Sequence, residues 1–262
     1  MNDLIVFIRG AGEIASAIAV VLKRVGFKII LTELPMPLAI RRTVSFSDTI
    51  FNDTAHVEGI ESLKSDVDNY KSVLKNDKIA LLFDAIDTIK KIKPKIYIDA
   101  RMLKNNILDL RKITEFTIGI GPGFTVGQNC DVVIETQRGH ELGKVIWYGR
   151  AKPNTGIPGT LGCENINRVI RASASGKINW AVKFGDLVVK NQVIGHIGEI
   201  EIKSKLNGMI RGLISPKVEA EIGLKIADVD PRGRAIDFNS ISDKSRCIGR
   251  GVLEAIMIHL KT

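Results

Sequence analysis

The sequence predicts an α/β chain: a parallel sheet covered by helices, a mainly β module after it, and a terminal helix. Three observations carry this. The first third alternates short apolar runs with segments of helical period, the pattern of strands joined by helices. The last third breaks into short strands with glycine turn signals. The end of the chain carries an apolar stripe of helical spacing, Val252, Leu253, Ile256, Met257 and Leu260, within Gly251–Lys261.

Taken in order, Leu4–Ile8 is a short buried strand. From Glu13 the period changes, and Ile14, Ile18, Val21, Leu22 and Val25 fall on one helical face, closed by Gly26. Lys28–Thr32, Ile79–Phe83 and Lys95–Ile98 are further strands, the last two separated by the helical segment Ala85–Lys91. Thr117–Gly127 is too rich in glycine for a plain helix. Asp131–Glu135 and Lys144–Tyr148 read as strands around the loop Thr136–Gly143. Lys152–Gly162, with Pro153, Gly156, Pro158, Gly159 and Gly162, reads as an ordered linker.

Arg171–Asp230 holds two imperfectly matching halves, Ser175–Ile197 and Asn207–Val229. Each begins with a strand, reaches a glycine (Gly185 or Gly223) and continues into another strand. This resembles the barrel-sandwich fold of lipoyl and biotinyl domains. Neither Lys203 nor Lys205 in the connecting GEIEIKSKL has the flanking pattern of a modified carrier lysine, so the module reads as structural. Ser242 or Asp243 is placed to cap a turn leading into the last helix. The predicted organisation is therefore 1–170, 171–230 and 231–262, with the last segment packing back on the first.

Composition bounds the function. With 262 residues, 45% apolar and 26% charged, the chain is an ordinary folded protein of about two domains. Aromatic residues are 5%, so the core is aliphatic and stacking surfaces for bases are scarce. The net charge of +9 invites a nucleic-acid reading, but across 61–120 there are 12 Lys+Arg and 9 Asp+Glu, interleaved as on a solvated face. No nucleic acid is expected, and the positive field suits an anionic cofactor or an acidic partner. The longest apolar run, Ala17–Leu22, is too short to span a bilayer. Cys130, Cys163 and Cys247 form no CxxC pair, which points to a reducing cytoplasm and no zinc site.

The strongest local signal is Gly10-Ala11-Gly12-Glu13-Ile14-Ala15, set between a strand and a helix. In a dinucleotide site Gly10 permits the tight turn, Gly12 lets a pyrophosphate approach the helix N-terminus, and Ala15 lets helix and strand pack closely. Glu33 ends the second strand, where a carboxylate favours a ribose with a free 2′-hydroxyl. These features make the first part Rossmann-like in expectation. The bland alternative is a similar fold that binds nothing.

Arg41 and Arg42 are suited to clamp phosphate or carboxylate groups, or are two exposed arginines. The loop Gly119–Gly127, with Gly121 and Gly123 at its centre, offers backbone for close approach to an anion, or is a tight crossover. Glu135, Arg138 and His140 supply an acid, a guanidinium and an imidazole for binding and protonating a polar substrate. Cys130, beside that loop, is a candidate for chalcogen transfer; its bland reading is a small buried hydrophobe. Asp228 and Asp230, with Arg232 and Arg234, read as ion pairs before a cation site. No metal site is expected.

The strings IRGAGEIASAIA, TELPMPLAIRRTVSFSD, IDARM, IGIGPGF, VVIETQRGHELGKVIWYG, DVDPRG and SDKSRCIGRGVLEAI together resemble the YqeB family, the selenium-dependent molybdenum hydroxylase maturation proteins. The resemblance runs from Ile8 to Ile256. The family pattern has Asp where Glu13 stands, a swap that keeps the charge. The resemblance implies an accessory role toward a molybdenum hydroxylase apoenzyme, in the cytoplasm. Its N-terminal part is similar to maturation factors of xanthine dehydrogenase. It carries over no catalytic residue, and whether the chain is an enzyme stays open. Three functions are weighed: handling of a dinucleotide such as a molybdopterin dinucleotide, or selenium insertion; an NAD-dependent oxidoreductase; and a non-enzymatic scaffold docking on the hydroxylase. A homo-oligomer also stays open.

Overall fold

A computed structural model describes residues 4–84, 86–105, 107–156, 159–162 and 164–261. The chain forms two compact units. One comprises Met1–Pro35, Val44–Thr155 and Ile241–Thr262; the other comprises Met36–Thr43 and Gly156–Ser240.

The first unit is built on strands β1 (Ile5–Arg9), β2 (Lys28–Glu33), β3 (Thr54–Val57), β4 (Ile60–Lys64), β5 (Ile79–Phe83), β6 (Ile96–Asp99), β7 (Phe116–Ile120), β8 (Val132–Ile134) and β9 (Val145–Ile146). They form one sheet in the order β3-β4-β5-β2-β1-β6-β7-β8-β9. Strands β4 through β8 run parallel, while β3 and β9 pair antiparallel at the two edges. Its helices are α1 (Glu13–Arg24), α2 (Thr49–Asn52), α3 (Tyr70–Lys75), α4 (Ile86–Ile92) and α5 (Asp243–His259).

Alternation along the strands sorts side chains to two buried faces. Val6, Ile8, Ile29 and Leu31 join the core beneath α1 and α5, with Ile18, Leu22, Ile248 and Val252. Phe7, Ile30, Ala80 and Tyr97 face the other way, onto Tyr70 and Leu74 of α3 and Ile89 of α4. Helix α1 carries Glu13 in its first turn and Lys23 and Arg24 in its last, which complements the helix dipole. Helix α5 starts eight residues before the expected stripe because the Ser242 hydroxyl accepts the Ser245 N–H as an N-cap.

The second unit holds β10 (Val169–Arg171), β11 (Ile178–Trp180), β12 (Leu187–Val188), β13 (Val193–Ile197), β14 (Ile200–Lys203), β15 (Gly208–Leu213) and β16 (Lys225–Asp230). They make two antiparallel sheets, β10-β16-β15-β12 and β11-β13-β14. Segment 36–43 belongs with them, since Leu213 N–H donates to the Ile40 carbonyl at 2.9 Å.

The expected class, a Rossmann-like parallel sheet followed by a barrel-sandwich module, is corrected by this architecture. The large sheet is mixed. A two-residue connection joins β3 to β4, and so short a link permits only an antiparallel pair. Among the described residues, β6 reaches β7 and β7 reaches β8 without an intervening helix. In the second of these connections Gly121, Pro122, Gly123 and Gly127 oppose helix formation. The β-rich part is not a self-contained 171–230 module either, because its sheets recruit β10 and its backbone bonds reach Ile40. The chain is α/β with a nine-stranded mixed sheet and two small antiparallel sheets. Among the described residues no helix is long and apolar enough to cross a membrane.

Candidate functional site

The turn between β1 and α1 stands at the carboxyl end of the central strand. Gly10 sits at φ +102°, a left-handed conformation that side-chain-bearing residues rarely adopt, and its N–H donates to the Thr32 carbonyl at 2.9 Å. Gly12 is the N-cap of α1 and has no side chain to cap the helix. A Cβ built on Gly12 would meet nothing within 4 Å, so no packing within the protein demands glycine there. Ala15 is buried at 1% exposure in the core beneath α1.

Glu33, the last residue of β2, turns back onto this turn. Its Oε2 accepts the Ala11 N–H at 3.0 Å, and its Oε1 accepts the Leu34 N–H at 2.8 Å. Burial pushes the Glu33 carboxyl up, the two backbone N–H groups pull it down, and Asp84 adds to the rise; the net shift is upward.

Beside the turn lies a buried ionic cluster that sequence reasoning missed. Arg9 Nε donates to Asp84 Oδ1 at 2.7 Å, and Thr32 Oγ1 donates to the same oxygen at 3.1 Å. Arg101 Nε and Nη2 donate to Asp99 at 3.0 and 2.7 Å, and the Tyr97 hydroxyl donates to Asp99 at 3.2 Å. Burial lowers the Arg9 guanidinium, but bonding and charge from Asp84 outweigh it, and the net shift is upward. Burial, then the Asp99 carboxylate, push the Tyr97 phenol up. The signal was positional: Arg9 and Asp99 are the last residues of β1 and β6, and Asp84 directly follows β5. Ligands of open α/β sheets gather at such strand ends.

The loop 119–127 follows β7, two strands from β1 and at the same end of the sheet. Gly119, Gly121 and Gly123 in it differ from Gly12, whereas a Cβ on Gly127 would also meet nothing within 4 Å. A Cβ on Gly119 would fall 2.2 Å from the buried Phe124 ring, and one on Gly123 would fall 2.2 Å from the Leu103 carbonyl oxygen. Gly121 has φ +91° and would crowd Thr136 and Met102. Packing within the protein accounts for all three.

Glu135 and Arg138 direct their polar ends to different partners. Glu135 is 2% exposed; its Oε1 accepts the Thr136 and Gln137 N–H groups at 2.6 and 2.7 Å, and its Oε2 accepts Lys152 N–H at 2.8 Å. Arg138 pairs with Asp243 through two bonds of 2.6 and 2.9 Å. His140 is exposed. Cys130 is buried with Phe124, Val133 and Ala151, and burial, then Asp131, push its thiol up to about 12. A thiol so raised is a poor nucleophile at neutral pH. Cys163 lies outside the described residues.

Arg41 and Arg42 belong to the second unit. Arg41 Nη2 donates to the Ser240 carbonyl at 3.0 Å, and the Arg42 guanidinium lies 5.8 Å from the centre of the Phe184 ring. In the same unit Asp228 pairs with Arg168 and Arg211, and Asp230 with Arg211 and Arg232. Among the described residues no group of three or more His, Cys, Asp or Glu is placed to hold a metal ion.

No family model matches the chain. It is 44% identical over 256 residues, 97% of its length, to "Uncharacterized protein YqeB" of Escherichia coli (strain K12). The chain spans about half of that relative, 47% of its length. Among solved structures, an aspartoacylase family protein from Mesorhizobium loti is 13% identical, with 87% of this chain and 84% of that one covered and a TM-score of 0.29. A succinylglutamate desuccinylase/aspartoacylase from Rhodobacter sphaeroides is 11% identical, with 87% of each covered and a TM-score of 0.27. At these scores the likeness carries no argument.

Proposed function

We propose, from the premise that the chain belongs to the YqeB family over its matched 256 residues, that it is an accessory factor in maturing a selenium-dependent molybdenum hydroxylase. In this reading it handles a dinucleotide-type cofactor, a molybdopterin dinucleotide, at the Gly10–Gly12 turn. The observation that carries the cofactor reading is the space at Gly12. A glycine that nothing in the protein requires, at the uncapped start of a 12-residue helix, leaves room for the approach of a ligand.

The pyrophosphate would lie against Gly12, where the helix dipole favours negative charge. Glu13 in the same turn is held partly away by the Ser242 N–H, which donates to its Oε1 at 3.3 Å. Glu33 would exchange its bond from Ala11 for a ribose hydroxyl. The buried pairs Arg9–Asp84 and Arg101–Asp99 would hold the strand ends rigid beneath the ligand. The cofactor itself would supply the redox chemistry; the chain binds and orients it.

The test is a thermal-shift series with molybdopterin dinucleotide, NAD and FAD, together with co-purification of the chain and a molybdenum hydroxylase apoenzyme. No shift with any dinucleotide at saturation overturns the cofactor reading. Failure to associate with the apoenzyme removes the support for the pathway. A second reading, an NAD-dependent oxidoreductase, is favoured by Glu33, since a carboxylate at that strand end suits a free ribose 2′-hydroxyl. Tight NADH binding by fluorescence, with turnover of a carbonyl substrate, would favour it over the first.

A further inference from the structure

We infer that the first unit carries a separate binding cavity for a small aliphatic oxyanion, a phosphate ester or a carboxylate, clamped by Lys104 and Arg150. The cavity has a volume of about 350 Å³ and is lined by Lys104, Pro122, Arg150, Ala151, Pro153 and Asn154. That is in the range of sites for small organic molecules and exceeds what a bare inorganic ion needs.

Its charge selects the ligand. Among the described residues the lining holds two cations and no carboxylate. Arg150 has no side-chain hydrogen bond or ion pair among the described residues. The nearby buried carboxylate, Glu135, accepts three backbone N–H groups and is turned to its own loop. A guanidinium fork beside an ammonium suits a group with several anionic oxygens. Among the described residues no aromatic ring lines the cavity, so a nucleobase has nothing there to stack on. Pro122, Ala151 and Pro153 offer apolar wall for a short carbon skeleton.

The walls are fixed before any ligand arrives. Segment 150–153 is pinned by Lys152 N–H on Glu135 and by the bridge between Thr125 and Arg150. Ala151 is packed against Phe124 and Cys130. The Pro122 side is pressed onto residue 103 at Gly123, directly before Lys104. Rigid walls lower the ordering cost of binding.

Isothermal titration of the whole chain with inorganic phosphate, glycerol 3-phosphate and malonate, at constant ionic strength, tests the site. Saturable binding of at least one probe is expected. Arg150→Ala should weaken it about tenfold, the worth of one charge-assisted contact, and Lys104→Ala with Arg150→Ala should abolish it. Preference for glycerol 3-phosphate assigns a phosphate ester, and preference for malonate assigns a carboxylate. Gly12→Val should leave these affinities unchanged, so failure here is distinct from failure of the dinucleotide reading. Absence of saturable binding for all three probes, or equal binding by the folded double variant, overturns the inference. Circular dichroism checks folding, which truncation of two exposed side chains should not alter.

Discussion

The Ala11 N–H donates to Glu33 Oε2 at 3.0 Å, joining the glycine turn to the end of the neighbouring strand across 22 residues of chain. A carboxylate thus lies against the turn proposed to take an anionic ligand. The bond orders the turn. In the proposed reading it would yield or be shared when a ribose hydroxyl arrives, so the ionisation of Glu33 would affect both stability and binding.

Glu33→Gln tests this through pH. The folded carboxyl is raised chiefly by burial. A raised acid contributes stability that is fully present below its unfolded pKa and is lost as pH rises through the folded value. Wild type should therefore lose stability relative to Glu33→Gln from the ordinary glutamate range upward. Melting temperatures of both proteins between pH 4 and pH 7, roughly bracketing that range, would show the curves diverge. Parallel curves would mean that Glu33 is not the partly buried carboxylate described.

The loop glycines should behave as packing residues. In Gly119→Ala and Gly123→Ala the new methyl meets the Phe124 ring or the Leu103 carbonyl. Each should cost about 1–3 kcal/mol by overpacking, read by urea denaturation. Full stability in either variant would show that the loop is looser than described.

How much of this was legible beforehand depends on the range of the interaction. The strand at 79–83 and the helix from Glu13 were readable because their apolar periods lie within a few residues. The glycine turn was readable because strand, turn and helix are contiguous. The edge strand Thr54–Val57 and its neighbour Ile60–Lys64 were missed, since both are short and lack a continuous apolar run. The Arg9–Asp84 and Arg101–Asp99 pairs depend on which strands become neighbours. Gly12 and Gly123 look alike in sequence, and only the positions of surrounding atoms separate an open glycine from a crowded one.

Cys130 should resist alkylation. Its thiol, pushed up to about 12 and buried, should remain unmodified by iodoacetamide at neutral pH, while half-buried Cys247 reacts faster. Peptide mass spectrometry of native and urea-unfolded protein reads this directly. Rapid native labelling of Cys130 would return it to the list of reactive groups.

Asp228 anchors the second unit. Burial raises its carboxyl, but Arg211, Lys225 and Arg168 outweigh that, and the net shift is downward. A lowered acid contributes stability above its unfolded pKa and loses it as pH falls through the folded one. Asp228→Asn leaves buried Arg168 without its charge partner and Arg211 with Asp230 alone, and should cost about 3–5 kcal/mol at neutral pH. That penalty should shrink as pH falls below the ordinary aspartate range. Denaturant titrations at neutral and acid pH would measure both, and a loss below about 1 kcal/mol would mean a solvated pair.

The most direct measurement of the central claim is thermal-shift titration with molybdopterin dinucleotide and NAD on wild type and Gly12→Val. A Cβ there meets nothing within 4 Å, so the ligand-free variant should stay within about 1 kcal/mol of wild type, while its side chain occupies the space proposed for the pyrophosphate. The account predicts a saturable rise in melting temperature for wild type and none for the equally folded variant. An equal rise in both proteins, or none in either, would contradict it.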